Sequence, residues 1–138
     1  MDSSRIFKNA VTIYKPLGED NQGVMQWRRI VFYRVYFEAS RAVSDGSHGS
    51  RPSDITVLYI FSKRSIATDG MKVYTAGEIC EKLFAIAKNR DDFEDDRMYL
   101  TLSKSNSEAP PKSSLMIKRV QHFNAGSSRM WHWEVEAR

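Results

Sequence analysis

Alternating apolar and polar positions run through most of the chain and predict a mainly β protein. The longest alternating pattern covers residues 25–40 and carries apolar side chains on both faces, interrupted by Arg34 and Glu38. A strand with two apolar faces is either covered on each side or bent so that its halves serve different sheets. The pattern leaves both arrangements open.

Shorter β patterns lie before and after this segment. A run of β-forming residues over 9–15 predicts a first strand, which is halted by turn residues that begin at Pro16. A nearly continuous apolar run over 55–61 predicts a central strand. Further strands are predicted over 98–102 and 115–123, and a last one over 129–138.

One segment has helical rather than strand periodicity. Thr75 and Glu78 have the spacing of a capping box, in which both side chains bond free backbone N–H groups at a helix start. Ile79, Leu83 and Ile86 follow at helical spacing. We predict one amphipathic helix of about three turns, ending before residue 89.

The last strand carries two of the three tryptophans. On a regular strand Trp131, Trp133 and Val135 share one face, and His132 lies on the other. Chain ends fray unless packing holds them. Large apolar side chains at the end of the sequence therefore predict a structural terminal strand that closes a sheet.

These elements predict one domain over residues 1–138 with about six strands and one short helix. Short strands joined by polar turns favour a small antiparallel β-barrel or sandwich with the helix packed against it. A flexible loop over 41–53 separates two of the strands.

Composition and charge narrow the class of protein. The net charge of +4 and the pI near 9.3 permit contact with polyanions without requiring it. No apolar run approaches the roughly 20 residues of a membrane span, and the N-terminal residues lack the apolar core of a secretory signal. The single cysteine, Cys80, excludes an internal disulfide and favours synthesis in a reducing cytoplasm.

The loop over 41–53 is unusually long for a compact domain, and such loops are often functional or disordered. It is either a solvent-exposed insertion or a segment that orders on meeting a partner. Its candidate functional residues are Arg41, Ser44, Asp45, Gly46, His48, Gly49 and Arg51.

A dense acidic run follows the predicted helix. It comprises Asp91, Asp92, Glu94, Asp95 and Asp96. Its spacing does not match a calcium loop, so we interpret it as a solvated turn or as a docking face for a basic neighbour. In an oligomer, basic residues of the next copy such as Arg28, Arg29 and Arg34 would face it.

Catalytic and metal chemistry find little support in the sequence. His122 and His132 could pair across neighbouring strands, but neither a nearby cysteine nor a helical histidine pair accompanies them. Cys80 falls within the helical pattern, where a buried, inert thiol is expected. We therefore predict a non-enzymatic protein with no cofactor and no metal. Aromatic and basic residues interleaved over 27–36 leave single-stranded nucleic-acid binding as the alternative of a different class.

Seven short segments of the chain form a recognisable set: Val11-Thr12-Ile13-Tyr14, Trp27-Arg28-Arg29, Val35-Tyr36-Phe37-Glu38, Val57-Leu58-Tyr59-Ile60-Phe61, Ile117-Lys118-Arg119-Val120, Gly126-Ser127-Ser128 and His132-Trp133-Glu134-Val135. Together these segments resemble the head-closure or head–tail connector proteins of tailed phages and prophages. The terminal segment is the most specific of these.

The resemblance implies a β-barrel subunit repeated six or twelve times in a ring within the virion neck, assembled in the host cytoplasm. Implied partners are the portal or adaptor, the tail terminator or tail tube, and packaged double-stranded DNA contacted without sequence specificity; no membrane partner is implied. The 41–53 loop would face the channel and help to retain DNA. Adaptor and tail-terminator roles are alternatives within the same neck.

Overall fold

The computed structural model describes residues 9–42, 53–84 and 97–138. Within these ranges eight antiparallel strands form one sheet, accompanied by one α-helix and one short 3-10 turn. The elements are β1 Asn9–Glu19, β2 Met25–Ala42, β3 Ser53–Phe61, β4 Ile66–Asp69, β5 Lys72–Thr75, α1 Ala76–Leu83, β6 Tyr99–Thr101, β7 Leu115–Phe123, the 3-10 turn Ser128–Met130 and β8 His132–Ala137. The prediction of a mainly β, antiparallel fold with one short helix is confirmed, with eight strands rather than about six.

Six of the strands form a closed ring through their pairings. The order is β1, β6, β7, β8, β3 and β2, and β2 pairs again with β1. The β4–β5 hairpin joins this ring through β2. The terminal strand β8 lies between β3 and β7, as the sequence predicted for a strand that closes the sheet.

An extra residue bends β2. Tyr33 and Val35 pair with Ala10 and Asn9 of β1, while Arg34 between them is bypassed and has a φ of 60°. The extra residue reverses which alternating positions face the core. The first half of β2 pairs with β1 and β4 and the second half with β3, so the bent arrangement is the one observed.

Ser65 joins the bend to two other elements. Its fully buried hydroxyl donates to the Arg34 carbonyl at 2.7 Å and accepts from the Phe61 N–H at 2.9 Å. The Ser65 carbonyl accepts from the Ala76 N–H at 3.0 Å. One small polar residue thereby connects β2, the end of β3 and the start of α1.

The capping box predicted for α1 is wrong. Within the described part of the chain the Thr75 side chain makes no capping hydrogen bond. The first N–H groups of the helix are bonded instead by backbone, Ala76 to the Ser65 carbonyl and Gly77 to the Ser62 carbonyl, each at 3.0 Å. Tertiary contact with the turn after β3 replaces the local cap.

The first strand is longer than predicted. Pro16 does not end β1, which continues to Glu19 through an irregularity between Pro16 and Gly18. Gly18 has a φ of 107°, a conformation that glycine adopts without a Cβ penalty. Proline is tolerated at such a break in the ladder because it has no N–H to leave unpaired.

Two short strands were not predicted. β4 and β5 have four residues each and form a hairpin around Gly70 and Met71. The Asp69-Gly70 pair, with Gly70 at a φ of 65°, is a turn signal that the sequence does contain. The flanking strands are too short for their alternation to stand out.

The core fills the ring and includes the buried face of α1. Its largest fully buried side chains are Val11, Ile13, Ile30, Phe32, Leu58, Ile60, Phe84, Met98, Leu100, Ile117 and Trp133. Trp133 stacks on His122 at 4.0 Å and contacts Phe84 at 5.6 Å between ring centroids. Trp133 and Val135 face inward as predicted. Trp131 lies before β8, is half-buried and donates its indole N–H to the Gly126 carbonyl, so its predicted place on the same strand face is wrong.

Candidate functional site

Aromatic side chains lie in a row across the outer side of β2, β3, β8 and β7. Tyr36 contacts Tyr59 with ring centroids 5.7 Å apart, and Tyr59 contacts His132 at 6.1 Å. The His132 ring also contacts Phe61 at 5.8 Å and stacks on Phe123 at 5.0 Å. Four of these side chains are half-buried, and Phe123 is 41% exposed. We call this row, with the carboxylates beside it, the aromatic face.

Strand alternation places these side chains outward. Leu58 and Ile60 of β3 and Trp133 and Val135 of β8 are buried in the core. Their sequence neighbours therefore point to the other side of the sheet. This row of aromatic residues therefore lies outside the core, and its most exposed member is Phe123.

Three carboxylates border the aromatic row. Glu134 is paired with Tyr59 across β8 and β3, and Val57 lies between Glu38 and Glu136 on neighbouring strands. The pKa of the Tyr59 hydroxyl is raised first by burial and then by the negative charges of Glu134 and Glu38. Arg119 approaches Glu136 at 3.8 Å at one margin. The apolar row is therefore bordered by carboxylates, of which Glu134 contacts His132 and Glu136 contacts Arg119.

Hydrogen bonds fix His132 within the row. Its Nδ1 lies 2.9 Å from the Met130 carbonyl and its Nε2 lies 2.9 Å from Oε2 of Glu134. Both partners are acceptors, so Nδ1 donates to the Met130 carbonyl, and Nε2 donates to Glu134 when the ring carries both hydrogens. Holding the ring at both nitrogens keeps it stacked on Phe123.

The pairing of His122 with His132 suggested by the sequence is not observed. His122 stacks on Trp133 on the core side of the sheet, whereas His132 lies on its outer side. Among the described residues no group of three or more His, Cys, Asp or Glu is arranged to hold a metal ion. Cys80 is buried in α1, and this burial raises the pKa of its thiol well above the ordinary value.

A second surface lies at the end of the β1–β2 hairpin. It is a groove of about 930 Å³ between the hairpin, β6 and the segment that leads to β7. Leu17, Trp27, Tyr99, Pro110 and Pro111 supply much of its apolar lining. Trp27 and Tyr99 meet edge to face at 5.8 Å, and Leu17 is 63% exposed. We call this surface the hairpin groove.

Two cations lie in the lining of the hairpin groove. Its charged lining residues in the described chain are Arg97 and Lys112. A smaller depression continues from it past Arg97 and Tyr99 and adds Lys118. The charged side chains beside the apolar lining of the groove are therefore cations, whereas carboxylates border the aromatic row.

Asp20 orders the tip of the hairpin beside this groove. Its Oδ1 accepts the N–H groups of Val24 at 2.9 Å and Gln22 at 2.8 Å. These bonds to the ionised form lower the pKa of Asp20. The turn presents Val24 and Met25 to solvent, 53% and 38% exposed, so the groove is flanked by further apolar surface.

The arginines predicted for docking have different surroundings. Arg28 donates two hydrogen bonds to Asp69, at 2.7 and 3.1 Å, and Arg29 donates to the Ser107 carbonyl at 3.2 Å. The Arg34 side chain is exposed at the bend of β2. Arg28 and Arg29 therefore make hydrogen bonds within the subunit.

Other predicted site residues lie outside the described residues. These are the acidic run Asp91, Asp92, Glu94, Asp95 and Asp96, and the loop positions Ser44, Asp45, Gly46, His48, Gly49 and Arg51. Arg41 was predicted to begin the loop, but its backbone belongs to β2, opposite Asp54 of β3. The strands thus extend further toward this loop than predicted.

The aromatic and basic residues that suggested nucleic-acid binding do not form one surface. Trp27 lies against Tyr99, Tyr33 lies under the Lys104 ammonium at 5.8 Å, and Tyr36 belongs to the aromatic face. The carboxylates beside the aromatic face oppose the approach of a phosphate backbone.

Within the described ranges no helix is long and apolar enough to cross a membrane. No curated protein and no solved structure shows a significant match to this chain. One family model matches residues 6–138, nearly the whole sequence. The chain therefore belongs to DUF6751, a family of unknown function.

Proposed function

We propose that this protein is a non-enzymatic structural subunit of a tailed-phage neck. In this proposal six or twelve copies form a ring between the portal or adaptor and the tail, and the ring closes the head and helps to retain packaged DNA. Adaptor and tail-terminator positions would use the same kind of ring. The support is the sequence resemblance together with one structural observation.

That observation is the aromatic face. Monomeric proteins bury most large aromatic side chains in a core, and aromatic residues are enriched where proteins contact one another. Here Tyr36, Tyr59, Phe61, His132 and Phe123 form an outward row across four neighbouring strands. A pre-ordered apolar surface of this kind suits a repeated protein–protein contact.

The experiment is electron microscopy of the protein alone and mixed with the portal protein encoded in the same genome. The proposal predicts rings, or density that caps the portal below its channel. A monomer in isolation does not contradict the proposal, because the portal can template the ring. Absence of both rings and portal-bound density would overturn it, and binding to single-stranded DNA at physiological salt would then favour the alternative class.

A further inference from the structure

We propose that the aromatic face of one copy docks into the hairpin groove of the next copy, so that the ring is built by a head-to-tail contact. The inference rests on the proposed function and names the two surfaces that would carry it. The occupant of each surface is a second copy of this chain.

The positions of the two surfaces support this arrangement. In the closed order β1, β6, β7, β8, β3, β2, the aromatic face is centred on β8 and β3. The hairpin groove lies beside β1 and β6, three strands away in either direction. The two surfaces are therefore on opposite sides of the strand ring. Contacts between different surfaces on opposite sides of a subunit generate closed rings or filaments.

Charge complementarity identifies the occupant. The aromatic face presents Glu38 and Glu134 beside its apolar row, whereas Arg97 and Lys112 line the hairpin groove. Opposite charges at an interface set its register and disfavour wrong pairings. Two copies of the aromatic face would repel each other, and so would two copies of the groove. A heterologous contact is thus favoured over a symmetric dimer.

Apolar complementarity adds to the charge argument. The groove is concave and lined by Leu17, Trp27 and two adjacent prolines, while the outward aromatic row ends at the exposed Phe123. Large aromatic side chains that enter a preformed apolar pocket are typical anchors of protein interfaces. The same contact would cover the exposed Leu17 side chain.

Charge reversal on each surface tests the contact. The groove variant combines Arg97→Glu with Lys112→Glu, and the face variant combines Glu38→Lys with Glu134→Lys. All four side chains are exposed or half-buried, and circular dichroism checks that each variant remains folded. Self-association is measured by sedimentation velocity, and ring formation by microscopy with the portal. Each variant alone should weaken association at least about tenfold, because it places like charges opposite each other.

Recombining the charges makes the test specific to this pair of surfaces. A chain carrying all four substitutions should recover association, and a mixture of the two variants should form hetero-oligomers. A matched control, Lys72→Glu with Lys82→Glu, reverses two exposed cations on β5 and α1 that line neither surface. It should assemble like the unmodified protein.

The outcomes separate this inference from the proposed function. The head-to-tail contact is wrong if the unmodified protein forms rings and the two double variants assemble equally well. It is also wrong if the chain with all four substitutions associates no more strongly than either double variant. In both cases the proposed ring itself is not contradicted. If the unmodified protein forms no rings with or without the portal, both proposals fail.

Discussion

At the scale of single residues, stability depends on whether a buried polar group has a hydrogen-bond partner. Ser65 and Ser62 lie three residues apart in the same turn, and both have buried hydroxyl oxygens. The Ser65 hydroxyl bonds the Arg34 carbonyl and the Phe61 N–H, whereas the Ser62 hydroxyl has no hydrogen-bond partner among the described residues. The two serine hydroxyls therefore contribute differently to the free energy of unfolding.

We expect Ser65→Ala to lower the free energy of unfolding by about 2 kcal/mol, because it removes two hydrogen bonds from buried backbone groups. The matched variant Ser62→Ala removes a hydroxyl that is buried without a hydrogen-bond partner among the described residues, so it should leave the free energy of unfolding unchanged or raise it. Urea unfolding followed by tryptophan fluorescence measures both. Equal losses in the two variants would contradict the assigned role of Ser65.

The two terminal tryptophans offer a second residue-level comparison. Trp133 is 1% exposed and packs between His122 and Phe84, so Trp133→Ala should cost about 3–5 kcal/mol through the cavity it leaves. Trp131 is half-buried and precedes β8, so Trp131→Ala should cost clearly less. Thermal unfolding of both variants decides this, and a Trp133→Ala protein with unchanged stability would show that the ring does not fill the core.

At the scale of elements, the start of α1 illustrates how packing replaces a local signal. The capping box of Thr75 and Glu78 is present in the sequence, yet backbone carbonyls of the preceding turn bond the first helical N–H groups. A backbone-to-backbone contact requires close approach. Gly77 permits it, since a Cβ there would lie 3.0 Å from the Ser62 carbonyl oxygen.

We therefore expect Gly77→Ala to destabilise the protein. Alanine gains up to about 1 kcal/mol in helix propensity over glycine, less at a helix start, whereas forcing a methyl group against a backbone oxygen costs about 1–3 kcal/mol. The net loss should be about 1 kcal/mol in urea unfolding. Glu81→Ala, at an exposed position of the same helix, is the control and should be neutral. A stabilised Gly77→Ala protein would mean that α1 moves away from Ser62 at little cost.

At the scale of the whole molecule, β8 closes the ring of strands although it is last in the sequence. It pairs with β3 on one side and β7 on the other. We therefore expect cooperative folding to require β8. This makes β8 a structural element, as the aromatic composition of residues 129–138 predicted.

Truncation tests this dependence. Removing residues 132–138 should prevent cooperative folding, because it opens the ring and uncovers core residues of both neighbouring strands, including Leu58 and Val120. The near-ultraviolet circular dichroism should be lost and the thermal transition should broaden. A flexible Gly-Ser extension after the exposed Arg138 is the control and should be tolerated. A sharp unfolding transition in the truncated chain would contradict the role of β8.

The sequence by itself determined the type and order of most elements. A nearly continuous apolar run identified β3, period-two alternation identified β7 and β8, and helical spacing identified α1. The two apolar faces of β2 were compatible with a bend, but the pattern did not show at which residue the bend lies. Only the register against β1 showed that Arg34 is the extra residue, since a bulge depends on the partner strand as much as on the bulged one.

The tertiary structure decided which side chains share a surface. The aromatic face joins residues of four strands, and the hairpin groove joins Leu17 to Pro110 across more than half of the sequence. The sequence predicts docking roles for Arg28 and Arg29, and the structure adds that both donate hydrogen bonds within the subunit, to Asp69 and to the Ser107 carbonyl. Local spacing does not reveal these partners, because they lie far away in the sequence. Alternation along a strand predicts whether a side chain faces inward or outward. Which outward side chains meet is determined by the pairing of the strands into a ring.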